Sequence, residues 1–297
     1  MRFLLFLMFA FIAEAKCEPP AYKEVTIVKS SKIDENSGID LSARYPGAVW
    51  THNDSGGKPY LFLVSLKTGD TLGTIELAHS INRDWEDITT YSQGGKSYIV
   101  VGDTGDNLRR RKGYQLCIFE EPGIDFTSTD PGIQKIERWI DLQFTYEDGP
   151  KNCESIGVDL ERNKIILIEK IYPELAGISG VYELDIPAKS SDKAVARRIA
   201  ELSSKNFSAM DISDDGRALI VRAYHAGYLY RRTGGESWAE VLSGPMPRPF
   251  IFPMQKQGEG VCFTTDGKAV LISTEKKRQP IYEVELPSAS ASASASR

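Results

Sequence analysis

Gly258-Glu259-Gly260-Val261-Cys262-Phe263, the turn Thr264-Thr265-Asp266-Gly267-Lys268, and then Ala269-Val270-Leu271-Ile272: this stretch decides the fold, because the chain repeats its pattern. An oxygen-bearing side chain is followed by a residue with a short side chain and then by an apolar one. A polar turn and an apolar strand come next. Ser37-Gly38-Ile39, Glu86-Asp87-Ile88, Glu154-Ser155-Ile156 and Ser208-Ala209-Met210 start further copies, spaced from one another and from Glu259 by 49, 68, 54 and 51 residues. A third strand with an aromatic-x-apolar motif follows in several of them, as in Tyr182-Glu-Leu, Tyr228-Leu-Tyr and Tyr282-Glu-Val. Repeats of about 40–50 residues made of short β-branched runs between Gly, Asp and Asn turns are those of propeller blades.

Four strands can be read in each of the first four repeats, but the last, Glu259 to Pro287, has room for three. The strand from Glu24 to Lys29 stands ahead of the first repeat and is free to complete the last. That pairing would close the ring and hide both sheet edges. The expected architecture is therefore an all-β, five-bladed β-propeller closed by the N-terminal strand, one domain spanning residues 21–287. A two-sheet sandwich would not explain a polar residue recurring at one template position.

The first strand of a propeller blade lines the central channel, so Ser37, Glu86, Glu154, Ser208 and Glu259 should meet at one height around the axis. Carboxylates converging there would lose hydration and repel one another unless a counter-charge joined them. A hard divalent cation with oxygen ligands answers that need, and Ca2+ suits a flexible all-oxygen ring better than Mg2+. The alternative is that these side chains bond neighbouring backbone N–H groups or basic residues and tie the blades together. The ends of the second strands share this mouth: His52-Asn53-Asp54, Asp103 with Asp106-Asn107, Glu169-Lys170, Arg222 with Tyr224-His225, and Glu275-Lys276. Such a mixed-charge mouth suits a small anionic or phosphorylated ligand. Asp54 or Asp103 would serve as base, with Lys170, Arg222 and Lys276 steadying negative charge. Arg109-Arg110-Arg111 could overhang the acidic loop or be a solvated one.

Composition bounds the rest. A net charge of −5 argues against a nucleic-acid partner. Met1-Arg2, the apolar run Phe3 to Ile12 and Ala13-Glu14-Ala15 have the pattern of a signal peptide over residues 1–15, hence a secreted or periplasmic protein. That run is too short to span a bilayer, and Lys16 before Cys17 is a poor lipoprotein signal. Cys17, Cys117, Cys153 and Cys262 form no C-x-x-C pair, which removes a structural zinc site and leaves three disulfide pairings open. The Ser/Ala tail, residues 288–297, has nothing to bury and should be disordered. A monomer is expected.

The ordered set Ser37, Glu86, Glu154, Ser208, Glu259 resembles that of the calcium-activated nucleotidases, the apyrase family also found in the saliva of blood-feeding arthropods. Phe207-Ser208-Ala-Met looks like the family's Phe-Ser-Ser-Phe, Glu154-Ser155 like its Glu-Ser, and Gly258-Glu259-Gly260 like its Glu-Gly segment. Asn53-Asp54-Ser55-Gly56 is similar to its Asp-Asp-Arg-Thr-Gly loop and Val101-Gly102-Asp103 to its Val-Gly-Gly loop. The resemblance implies a five-bladed propeller with calcium in the channel and phosphoanhydride or phosphoester hydrolysis at its mouth. Ser55 stands where the family has Arg, Trp85-Glu86-Asp87 reorders its Glu-Trp, and Glu169-Lys170 reduces a basic pair. These departures touch the chemistry more than the scaffold. Trp85-Glu-Asp and Gly102-Asp-Thr-Gly-Asp-Asn107 also resemble segments of exported bacterial phytase-like or esterase-like propellers. Two functions follow: a calcium-dependent hydrolase, or a non-catalytic module with a structural calcium ion that docks an extracellular polymer or protein. A lactonase-type hydrolase is a weaker third, and no nucleophile elbow supports a covalent serine mechanism.

Overall fold

A computed structural model of the protein describes residues 20–126, 132–172 and 175–287. The expected signal peptide, Cys17 and the Ser/Ala tail lie outside these. Short β-branched runs broken by turn residues give strands of two to twelve residues in antiparallel meanders. After β1 (Tyr22–Ile27), the first is formed by β2 (Asn36–Leu41), β3 (Ala48–Asn53), β4 (Tyr60–Ser65) and β5 (Thr71–Leu77). The second is β6 (Trp85–Gln93), β7 (Lys96–Asp103), β8 (Tyr114–Glu120) and, after the excursion β9 (Ile133–Ile136), β10 (Ile140–Tyr146). Then follow β11 (Cys153–Asp159), β12 (Lys164–Glu169), β13 (Ser179–Asp185) and β14 (Ser191–Leu202). After these come β15 (Phe207–Ile212), β16 (Ala218–Ala223), β17 (Ala226–Arg231), the helix α1 (Trp238–Leu242) and β18 (Phe250–Ile251). The last run is β19 (Gly258–Phe263), β20 (Ala269–Thr274) and β21 (Pro280–Glu285).

The sequence-expected closure is present as a pairing: β1 lies antiparallel to β21, giving a four-stranded sheet in the order β1-β21-β20-β19. Two features depart from simple repetition. The long strand β14 pairs with β13 and also, in parallel, with β10, so the second and third meanders merge into one eight-stranded sheet. The strand β9 leaves its own meander and adds a parallel fifth strand to the sheet of β2 to β5. This excursion accounts for the long interval between Glu86 and Glu154. Neither event is visible in local pattern, because β9 and the extra length of β14 answer to distant partners.

The strands β2, β6, β11, β15 and β19 stand side by side, each next to the following one and β19 next to β2. The result is a β-propeller, with these first strands around its axis. Both faces of each meander are covered by its neighbours, so central strands read as unbroken apolar runs. In β12, Ile165 and Leu167 pack toward Val100, Leu116 and Phe144, while Ile166 and Ile168 pack toward Phe207, Met210 and Val221. Ile39, Val49 and Phe62 meet Cys262, Leu271 and Ile281, so the first and last meanders share a core. Burying each such side chain contributes about 1.5–3 kcal/mol. Trp50, Trp85 and Trp238 are buried in these layers, and α1 is started by a Ser237–Glu240 capping box.

Among the described residues no helix is long and apolar enough to cross a membrane. Cys117, Cys153 and Cys262 are buried and unpaired, as their scattered spacing allowed.

Candidate functional site

The repeated polar residue has a structural cause. In β2, β6, β11, β15 and β19 alike, the ladder with the next strand slips by one residue, between Asn36 and Gly38, Trp85 and Asp87, Cys153 and Ser155, Phe207 and Ala209, and Gly258 and Gly260. The residue inside each slip is the template residue: Ser37, Glu86, Glu154, Ser208 or Glu259. A bulge turns its extra side chain out of the pleat, here toward the axis. At two of the positions that follow, crowding by neighbouring strands requires glycine. A Cβ on Gly38 would lie 2.8 Å from the Ile88 nitrogen, and one on Gly260 would lie 2.3 Å from Ser273 Oγ.

All five template residues are buried, but they do different things. Ser37 Oγ donates to the Glu86 carbonyl at 2.7 Å and Ser208 Oγ to the Gly258 carbonyl at 2.6 Å, so both hydroxyls tie one first strand to the next. Glu154 and Glu259 face a counter-charge supplied by the chain itself. Lys170 Nζ donates to Glu154 Oε2 and lies 3.9 Å from Glu259 Oε1. Asn152 Nδ2 donates to the other Glu154 oxygen at 2.9 Å. Burial pulls against the Lys170 charge, but Glu154 and Glu259 outweigh it and hold the ammonium protonated. Burial pushes Glu259 up to about 8, against the pull of Lys170.

Glu86 has a different neighbourhood. One carboxylate oxygen from each of Asp54, Asp84 and Glu86 falls within a cluster of mutual distances under 4.8 Å. Asp54 follows β3, Asp84 precedes β6, and the Ser55–Asp84 bridge holds the two loops together. Glu86 is 5% exposed, and Asp54 Oδ1 is buried with no hydrogen-bond partner. Burial, then Glu154 and Asp54, push the Glu86 carboxyl well above its ordinary range. Burial and Asp84 push Asp54 up to about 7. Burial raises Asp84 too, against the pull of Arg111. Gly105 floors the cluster: a Cβ there would sit 2.1 Å from Glu86 Oε1 and 2.5 Å from Asp84 Cγ. Three converging carboxylates with an orphaned buried oxygen and a glycine floor fit a hard cation such as Ca2+. Asp84 was not singled out in the sequence; the acid directly before Trp85-Glu86-Asp87 was the available signal.

The remaining mouth residues are engaged within the protein. Arg222 is fully buried, with Nη1 donating to the Gly260 and Ser273 carbonyls at 2.7 and 3.0 Å and Nη2 to Gln255 Oε1 at 2.5 Å. Burial lowers its pKa to about 9. It buttresses β19 and β20 and does not reach the open mouth. Asp103 pairs with Arg111 Nη1 at 2.6 Å, and Glu169 with Arg109 Nη2 at 3.1 Å. Lys276, half exposed and with φ of 87°, pairs with Glu275 at 3.2 Å. Arg109 and Arg111 thus do overhang the acidic loops, as paired cations. Asp106 organises that loop by accepting the backbone N–H groups of Arg110 and Arg111 at 2.9 and 2.7 Å. His52 is buried edge-on against Trp85, and burial lowers its pKa to about 4; His225 is exposed beside Tyr224.

Below this layer lies a second set of axial carboxylates that sequence reasoning missed. Asp87 accepts the N–H of Ile156 at 2.8 Å, Asp40 that of Thr90 at 2.5 Å, and Asp211 that of Phe263 at 2.7 Å. Each carries a first strand's side chain onto the backbone of a later one. Burial raises all three, Asp40 to about 7. Asp40 and Asp211 border a cavity of about 520 Å³ at the opposite end of the channel, also lined by Asp214, Arg217 and Arg231.

No protein family matches this chain, and no curated protein matches it. Solved structures do. The Dos1 propeller is 10% identical over 84% of this chain and 68% of its own, with a TM-score of 0.39. The Pan2 WD40 domain of Neurospora crassa is 10% identical over 90% and 96%, with a TM-score of 0.42. A gluconolactonase from Xanthomonas campestris, XC5397, is 7% identical over 85% and 72%, with a TM-score of 0.45. The chain is thus similar, at low identity, to β-propellers.

Proposed function

We propose that this chain is an exported, five-bladed β-propeller that binds one calcium ion at the mouth of its axial channel and acts as a non-catalytic docking module. The observation that carries the reading is the carboxylate cluster Asp54–Asp84–Glu86, buried or half-buried beside Glu154 and, among the described residues, without a basic partner at bonding distance to Glu86. When bound there, the ion would neutralise the cluster and clamp the loops after β3 and before β6 onto the first strand β6. The count of five blades follows from taking each slipped first strand as one blade and β1 as the outer strand of the last.

The hydrolytic alternative, a calcium-dependent enzyme of the apyrase or phytase-like kind, needs free cations for a phosphate. Lys170 is held by Glu154 and Glu259, Arg222 by carbonyls, and Lys276 by Glu275. This favours docking over phosphoryl chemistry. The test is metal analysis of the purified mature protein, with unfolding followed in calcium and in chelator, and phosphate release from nucleoside di- and triphosphates under both conditions. One bound calcium, a higher Tm in calcium and no phosphate release are expected. Absence of bound metal together with an unchanged Tm overturns the metal reading, and calcium-dependent phosphate release overturns the docking reading.

A further inference from the structure

We propose that Lys170 is a built-in cation of the axial site, its ammonium taking the place between Glu154 and Glu259 that a second metal ion would fill and confining metal to Asp54, Asp84 and Glu86. The inference rests on the metal reading above and concerns how many ions the ring accepts.

Lys170 directly follows β12, and its backbone N–H donates to the Asn152 carbonyl at 2.7 Å, which anchors the residue beside the start of β11. The side chain is 3% exposed. Its ammonium has Glu154 on one side and Glu259 on the other, with Tyr224 Oη at 3.2 Å. Two rings complete the enclosure, Tyr224 with its centroid at 4.8 Å and Tyr172 at 5.5 Å. Carboxylates, a phenol oxygen and aromatic faces are the surroundings that hold a dehydrated ammonium. The ammonium is tethered, so it carries no dissociation constant and cannot be removed by chelator.

Charge accounting supports one ion in addition. Glu86, Glu154, Glu259, Asp54 and Asp84 supply five acidic groups around this end of the channel, and Lys170 supplies one positive charge among them. One divalent cation beside Glu86 would leave a surplus of two negative charges among these groups. Without the ammonium, Glu154 Oε2, Glu259 and the Tyr224 hydroxyl would face one another as an oxygen set suited to calcium, while Asn152 still donates to Glu154 Oε1. Arg222 does not substitute, because its guanidinium is bound to Gly260, Ser273 and Gln255.

The test is calcium stoichiometry by titration calorimetry and by metal analysis after gel filtration, on the full mature chain. Wild type should bind one equivalent, Lys170→Met two, and Lys170→Arg one. Glu86→Gln should remove the wild-type equivalent, while the double variant Lys170→Met/Glu86→Gln keeps one. An unchanged stoichiometry in Lys170→Met overturns the proposal. Wild type with no equivalent and Lys170→Met with one would sink the Asp54–Asp84–Glu86 site but leave the role of Lys170 standing. Should Lys170→Met unfold in chelator, recovery of the fold on adding calcium supports the proposal, and failure to recover counts against it.

Discussion

At the scale of single residues, what distinguishes the axial site is the division of labour among five side chains that sequence pattern makes equivalent. Ser37 and Ser208 donate hydrogen bonds to backbone carbonyls, Glu154 and Glu259 hold an ammonium, and Glu86 joins two aspartates. Glu86→Gln is therefore expected to weaken calcium binding by more than about tenfold, the scale on which even outer-sphere partners act, as titration calorimetry would show. The same change relieves repulsion with Asp54 and Glu154, so the metal-free variant should melt at or above the wild-type temperature. Gly105→Ala separates packing from charge: its methyl would collide with Glu86 Oε1 and Asp84, and calcium affinity should fall with every carboxylate retained. Unaltered affinity in Gly105→Ala would mean that the ion does not sit over that floor.

Among elements, the bulged first strands and the closing strand matter most. The bulge aims one side chain per strand inward, and Gly38 and Gly260 after it admit the neighbouring strands. The strand β1 hides the edge of β21 and brings Val25 and Val28 onto the core shared by the first and last meanders. Starting the chain at residue 30 should lower Tm by roughly 5–15 °C, given about 1.5–3 kcal/mol for the buried Val28, a part of that for the half-buried Val25, and the lost pairing with β21; thermal melts of the truncated chain check this. A second joint lies on the far side, where Arg232 makes two 2.9 Å bonds to Asp159 with both side chains at most 2% exposed. Asp159→Asn leaves the buried guanidinium with Glu161, whose Oε2 lies 3.0 Å from Nη2, as its remaining carboxylate partner, and is expected to cost about 1.5–3 kcal/mol, measured by denaturant unfolding. A loss below about 1 kcal/mol would show that the joint relaxes freely.

For the whole molecule, a channel lined by buried acids couples stability to pH and to metal. Burial raises Asp40 and Asp54 to about 7 in the folded chain, against about 3.9 for a free Asp. The folded state then binds more protons than the unfolded state between about pH 4 and 7, so stability falls as pH rises through that window. Metal-free protein should accordingly melt higher at pH 5 than at pH 8. At Asp54, Asp84 and Glu86 calcium competes with protons for the carboxylate oxygens, so its stabilising shift should grow from pH 5 to pH 8. Melting curves at both pH values, with chelator and with calcium, would reveal either trend; a calcium shift independent of pH would place the ion away from these carboxylates.

What the chain determined by itself is local and periodic. Apolar runs between turn residues marked the strands, the recurrent oxygen-bearing residue before a small one marked the axis, and the unused N-terminal strand pointed to the edge it covers. These were legible because both a bulge and a crowded approach leave their mark on the residues that make them. Tertiary structure alone decided which charges meet. Lys170 comes 16 residues after Glu154 and 89 before Glu259, and its contact with both exists only once the first strands close around one axis. The excursion of β9, the reach of β14 and the trio Asp54, Asp84 and Glu86 are of the same kind. Long-range pairing and electrostatic partnership depend on distances in space, which a linear pattern of side chains does not encode.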